Sequence, residues 1–274
     1  MIIDFHYHYL DNEGFIDNLL FEMEECGIEK TMLMGLSKDV LWEVQAGSNE
    51  YSGFLGNEEV SAAVKEHPDK FIGCVYIDPR EKGFLDTFEK YYYKGFKCAK
   101  IWPPIGFYPD EEKLFPLYEK LEKYDIPLLA HAGLTNNKMF DPEGKRRVAT
   151  DSRCAHPLVF DYIARLFPEM KIIIAHMAHP YNVEAWCIQW ANPNVYLDIS
   201  GGDLWTNGAP LIYSSLGREK YVPIDFSRVI WGSDNTHSQK VHFEKSRENM
   251  YKMGASDEDM INIFGATAKK ILKL

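Results

Sequence analysis

This chain of 274 residues has no export leader, membrane span, disulfide framework or nucleic-acid footprint that its sequence would announce. The N-terminus shows no basic region followed by an apolar run and a cleavage site, and no apolar stretch approaches the ~20 residues of a membrane span. Cysteine is scarce: Cys26, Cys74, Cys98, Cys154 and Cys187 are odd in number, scattered and never spaced as CxxC. That argues against a cysteine-built zinc site and for reduced thiols in a cytoplasmic chain. Positive charge is in deficit, with 30 Lys+Arg against 41 Asp+Glu and a net charge of −11. A nucleic-acid binder would need a clustered basic face, whereas an acidic surplus serves solubility. The first strand is not followed by a glycine-rich phosphate turn but by Tyr7-His8-Tyr9-Leu10-Asp11, which argues against a dinucleotide-binding open sheet. No repeat, low-complexity tract or linker divides the chain, so residues 1–274 read as one domain, with 46% hydrophobic content to fill its core.

What is present is alternation. Phe15, Ile16, Leu19, Leu20 and Met23 recur at helical spacing up to a stop at Gly27. Residues 30–36 then form a short apolar run suited to a strand covered on both faces. The pair of patterns returns along the chain. Helices are expected over 58–66, 84–93, 114–124, 158–167 and 183–190, and strands over 71–77, 96–102, 126–131, 171–176, 195–199 and 228–234. Helices near 240–253, 257–263 and 266–273 close the chain, while 37–56 and 133 to about 155 read as long loops. Repeated crossover units imply a parallel sheet, and about eight of them in about 250 residues is the arithmetic of a closed (β/α)8 TIM barrel.

The chemistry starts in the first strand. Side chains alternate faces along a strand, so His6 and His8 point the same way and can share one metal ion. In TIM barrels the reactive groups stand at the C-terminal ends of the strands. Reading those ends adds Lys100, His131, His176 and Asp234. Three imidazoles and a carboxylate can close around one divalent cation with room for a water. Asp4 shares the parity of His6 and His8 and is expected to orient an imidazole from behind. Asp198 is expected to make a structural hydrogen bond, and His242 to lie on a solvated helix face.

Several stretches carry a family resemblance: Asp4-Phe5-His6-Tyr7-His8, Lys100-Ile101-Trp102-Pro103-Pro104, Leu129-Ala130-His131-Ala132-Gly133, Ile174-Ala175-His176-Met177 and Trp231-Gly232-Ser233-Asp234. The chain resembles, over its whole length, the amidohydrolase superfamily, and within it the amidohydrolase-2 (aminocarboxymuconate-semialdehyde decarboxylase-like) group. The resemblance implies a metal-dependent barrel that hydrolyses C–N or C–O bonds or, in one branch, decarboxylates without oxidation. It implies His6, His8 and His131 as metal ligands, Asp234 as ligand and proton carrier, and His176 facing the substrate. In binuclear relatives a carbamylated lysine bridges two ions; Lys100 would then serve a second ion with His131 and His176. Left free, Lys100 would bind a substrate carboxylate. One departure is Met177-Ala178-His179-Pro180, where many relatives carry a glycine-rich turn.

Zinc is the expected ion, one or two per chain, because of the ligand types. Trp102 and Arg153 join Lys100 as candidates for substrate binding, Trp102 by stacking and Arg153 as an anion clamp. The function read from the sequence is hydrolysis of a small amide, lactone or ester by a metal-activated water. A metal-dependent decarboxylase of a small carboxylic acid and a non-catalytic metal- or ligand-binding barrel are the alternatives. The expected partner is a small-molecule substrate, with homo-oligomer formation left open.

Overall fold

The computed structural model describes residues 1–43, 51–135, 138–140, 147–201, 209–213, 224–235 and 238–274. Along the chain run β1 (Ile3–His8), α1 (Phe15–Cys26), β2 (Lys30–Met34), β3 (Val40–Glu43), β4 (Tyr51–Gly53), α2 (Asn57–Glu66), β5 (Phe71–Tyr76) and α3 (Phe84–Tyr93). They are followed by β6 (Cys98–Ile101), α4 (Phe115–Tyr124), β7 (Leu128–Ala130), β8 (Lys138–Phe140), β9 (Arg147–Val148), α5 (Leu158–Leu166), β10 (Ile172–Ile174) and α6 (Asn182–Ala191). The chain closes with β11 (Val195–Asp198), β12 (Val229–Ile230), α7 (Gln239–Met253), α8 (Asp257–Ile261) and α9 (Thr267–Leu272).

Eight strands form one parallel sheet in the order β1-β2-β5-β6-β7-β10-β11-β12. The expected TIM barrel is therefore present. Its seam is drawn together by backbone bonds: the Phe5 amide donates to Trp231 O at 3.1 Å, and the Asp234 amide to His6 O at 2.7 Å. Apolar residues on both faces explain why these short segments become strands. One face, with Leu33, Val75, Ala99, Leu128 and Ile172, packs under the helices. The other, with Ile3, Phe5, Met32, Cys74, Cys98, Leu129, Ile173 and Ile230, fills the barrel, and α9 adds Ala268, Ile271 and Leu272 to that cluster.

Both expected loops hold strands. β3 and β4 lie in 37–56, β8 and β9 in 133–155, and together they build a four-stranded sheet in the order β4-β3-β8-β9. β3 pairs antiparallel with β8, about a hundred residues away in the chain, through Val40↔Met139 and Leu41↔Lys138. Segments this short carry too little periodicity to be seen locally, and their pairing partner is distant. The two insertions follow β2 and β7, at the end of the barrel that carries the site. An isolated bridge between Leu10 and Phe54 ties the exit of β1 to the exit of β4. Among the described residues no helix is long and apolar enough to cross a membrane.

β12 is shorter than the strand expected over 228–234. Its ladder stops at Ile230, and Trp231 to Asp234 run on across the mouth of β1. Gly232 permits this crossing, since a Cβ there would stand 2.5 Å from His6 Cβ and 2.7 Å from His6 N. Gly232→Ala should therefore force the seam apart and lower stability by about 1–3 kcal/mol. Thermal unfolding checks this, and an unchanged melting temperature would show that the seam yields.

Candidate metal and catalytic site

The first strand does not alternate simply. Asp4 pairs with Thr31 and Tyr7 with Leu33, so Phe5 and His6 together oppose Met32 alone. This β-bulge lets two successive residues face the barrel interior and reverses the phase of the strand. Asp4 consequently lies on the opposite face from His6, correcting the expectation from parity. Its carboxylate is held among the His6 and Ser233 amides, the Ser233 hydroxyl and the Gln239 side chain of α7. Burial pushes Asp4 up to about 6 against those hydrogen bonds.

Asp198, at the end of β11, takes the place behind the imidazole. His6 Nδ1 is 2.6 Å from Asp198 Oδ2, and neither side chain is exposed. That contact leaves the lone pair of His6 Nε2 turned toward the mouth. There His6 Nε2 stands 3.3 Å from His8 Nε2 and 3.4 Å from Asp234 Oδ1, and His8 Nε2 stands 3.5 Å from the same oxygen. Among the described residues, the group of metal-ligand types gathered in this way is His6, His8 and Asp234. Lys100, wholly buried, places Nζ 3.0 Å from His6 Nε2.

His131 and His176 form the other half of the cluster, their rings 4.9 Å apart between centroids. His176 Nδ1 lies 3.2 Å from Ser200 O, and His176 Nε2 lies 3.2 Å from His131 Nδ1. A carbonyl only accepts, so we assign the proton of His176 to Nδ1. His176 Nε2 then accepts from His131 Nδ1–H, and His131 is left with an open lone pair on Nε2. Among the described residues that buried nitrogen has no partner. Both ring nitrogens of His176 thus have a protein group within hydrogen-bond distance. Ser200 Oγ stands 2.9 Å from Nδ1 of both His6 and His176, joining the two halves.

Desolvation dominates the electrostatics. Burial, helped by Lys100 and the neighbouring imidazoles, holds His6, His8 and His131 well below the ordinary histidine range. Burial also pushes Asp234 well above the ordinary carboxylate range and pulls Lys100 down, although Asp234 and Asp198 partly restore the lysine charge. A buried charge is costly unless paired, so the metal-free cluster favours neutral groups.

The remaining predicted residues divide. Trp102 is buried, with its ring 5.9 Å from His131 between centroids. Arg153 is not drawn into the cluster: its side chain is 83% exposed and pairs with Asp151 at 2.7 Å. His242 is buried rather than solvated. It accepts from Trp231 Nε1 at 3.1 Å and donates to Gly201 O at 2.9 Å. Ser200 was not anticipated, because nothing in the sequence distinguishes a serine that will bridge two histidines from any other strand-end serine.

The family model Amidohydro_2, described as Amidohydrolase, matches residues 3–274. Protein fluG of Emericella nidulans is 24% identical over 115 residues, 42% of this chain, and that match covers 12% of fluG. The chain therefore spans a small part of the length of this curated relative. An uncharacterised TIM-barrel protein of Bordetella bronchiseptica superposes with a TM-score of 0.70 at 19% identity, covering 99% of this chain and 98% of that one. A probable 2-pyrone-4,6-dicarboxylic acid hydrolase of Acinetobacter baumannii, solved with citric acid bound, gives 0.64 at 12% identity, covering 100% and 99%. The 5-carboxyvanillate decarboxylase of Novosphingobium aromaticivorans, solved with manganese and a nitrobenzoic acid, gives 0.62 at 17% identity, covering 100% and 96%. At these identities the likeness is one of fold.

Burial brings the pKa of His176 down to about 4 from the ordinary 6.5. Its folded pKa lies below its unfolded one, so its contribution to stability is full above about 6.5 and is lost as pH falls toward 4. In metal-free protein the imidazole signals of His176 should stay flat by NMR from pH 8 to pH ~5. A midpoint near 6.5 would mean that water reaches the ring.

Proposed function

Because the chain belongs to the amidohydrolase family, a family of enzymes, we propose that it is a metal-dependent hydrolase opening a small amide, lactone or ester. The carrying observation is the spacing of three donor atoms. Around a tetrahedral ion with bonds of about 2.0–2.1 Å, ligand atoms stand about 3.3–3.4 Å apart, whereas neighbouring ligands of an octahedral ion at such bond lengths stand about 2.8–3.0 Å apart. The separations among His6, His8 and Asp234 are 3.3, 3.4 and 3.5 Å. Neutral imidazole nitrogens turned toward one another and toward a carboxylate oxygen satisfy a cation better than they satisfy each other. Zinc is our first choice of ion, and manganese, which a structurally similar barrel holds, is the alternative.

His131 would complete the set through its open Nε2. With His176 Nε2 taken up by His131, the second half of the cluster has one open nitrogen, which favours a single ion and a free Lys100. A bound divalent ion would supply Lewis acidity to a water or a substrate oxygen. The chain's own residues do the rest. Asp234 turns Oδ1 toward the two imidazoles and has Oδ2 to accept a proton from the attacking water and return it to the leaving group. His176 fixes the tautomer of His131, Trp102 walls the pocket, and Lys100 attracts a substrate carboxylate. Arg153, exposed and paired, has no part in this reading. All five thiols are free, which supports a reducing, cytoplasmic compartment.

A buried lysine beside the His6 donor atom also favours a second reading, decarboxylation of a small acid, in which Asp234 would deliver its proton to the carbon that loses carbon dioxide. Protein purified without chelator should carry one ion per chain. Asp234→Asn should lower kcat by about 100-fold or more. Against a panel of amides, lactones, esters and acids, a new carboxylate with an amine or alcohol supports hydrolysis, and released carbon dioxide supports decarboxylation. A blank panel with metal loaded would leave a binding barrel.

A further inference from the structure

We propose that Asn235 is the positioning residue that holds the two parts of the ligand set at coordinating distance across the barrel seam. The inference rests on the metal-dependent reading above and deepens it. His6 and His8 belong to β1, and Asp234 belongs to the far side of the seam. The β12 ladder, made with β11, ends at Ile230, and the backbone bonds across the seam itself, from the Phe5 amide to Trp231 O and from the Asp234 amide to His6 O, stop short of His8. Regular strand pairing therefore does not fix Asp234 against His8.

The Asn235 side chain supplies that link. Its Oδ1 accepts from the His8 amide at 2.6 Å, and its Nδ2 donates to His8 O at 2.8 Å. A planar amide thus grips the His8 backbone as the peptide group of a neighbouring strand would. The same turn presents the carboxylate one residue earlier, where the Asp234 amide bonds His6 O at 2.7 Å. Asp234 and Asn235 are both left-handed, with φ of 55° and 56°. Asparagine meets both needs at once: it tolerates this conformation better than most residues and carries a donor and an acceptor on a short, flat group.

Two substitutions separate a clamp from a mere turn former. Asn235→Gly keeps the turn, since glycine is at ease at positive φ, and removes the amide; Asn235→Ala strains the turn and removes the amide. The full chain is stripped of metal, and zinc affinity is measured by competition with a chromophoric chelator. Melting temperature and hydrogen exchange at the His8 amide are followed in parallel. Both variants should bind zinc at least about tenfold more weakly, and His8 should exchange faster, while Asn235→Gly melts as wild type does and only Asn235→Ala melts lower. Wild-type zinc affinity in Asn235→Gly overturns this inference alone. So does affinity that falls only where the melting temperature falls. A wild-type chain that binds no divalent metal overturns the metal reading and this inference with it.

Discussion

One additional residue in the first strand decides how the rest of the site is built. With Phe5 and His6 both opposing Met32, Phe5 fills the barrel and His6 still faces its mouth. A regular strand would have sent one of them outward into the helical layer. The same shift turns Asp4 away from the imidazoles and toward α7, where Gln239 and Ser233 receive it. The place behind His6 then falls to Asp198, which comes from β11, 192 residues further along the chain. A bulge costs ladder hydrogen bonds and is kept where it re-aims a side chain; here the re-aimed side chain is a metal-ligand candidate.

Around that strand, desolvation sets the chemistry. Four imidazoles, a lysine and two carboxylates are buried together, and each is driven toward its neutral form. Neutral imidazoles keep a lone pair, and the second nitrogens of His6, His176 and His131 are committed to Asp198, Ser200 and His176 in turn. What remains open is a small number of basic nitrogens and one carboxylate oxygen aimed into the mouth. Those are the groups a divalent ion needs, so the burial that makes the metal-free site costly also prepares it for metal.

The second sheet adds a tertiary feature that the barrel alone does not require. It joins the segments following β2 and β7 at the active end, and the Leu10–Phe54 bridge connects it to the strand bearing His6 and His8. The Phe54 ring stands edge-on to His8, 5.2 Å between centroids. The wall of the mouth is thus drawn from parts of the chain far apart in sequence. Barrels of similar fold are named for both a hydrolase and a decarboxylase, so fold likeness alone leaves the reaction to be read from the site.

The sequence by itself determined the barrel and most of the residues gathered at the candidate site. Apolar runs and helical periodicities are local, and strand-end residues such as His131, His176 and Asp234 can be located by counting along the chain. Asp4, Asp198, Ser200, His242 and the short strands of the outer sheet were decided only by the tertiary structure. Each depends on a contact between distant segments: a register shift against β2, a hydrogen bond across the seam, or a pairing about a hundred residues long. A pattern in one segment records which faces are apolar, but not which partner's backbone will meet it, and it is that meeting which chooses the imidazole's neighbour.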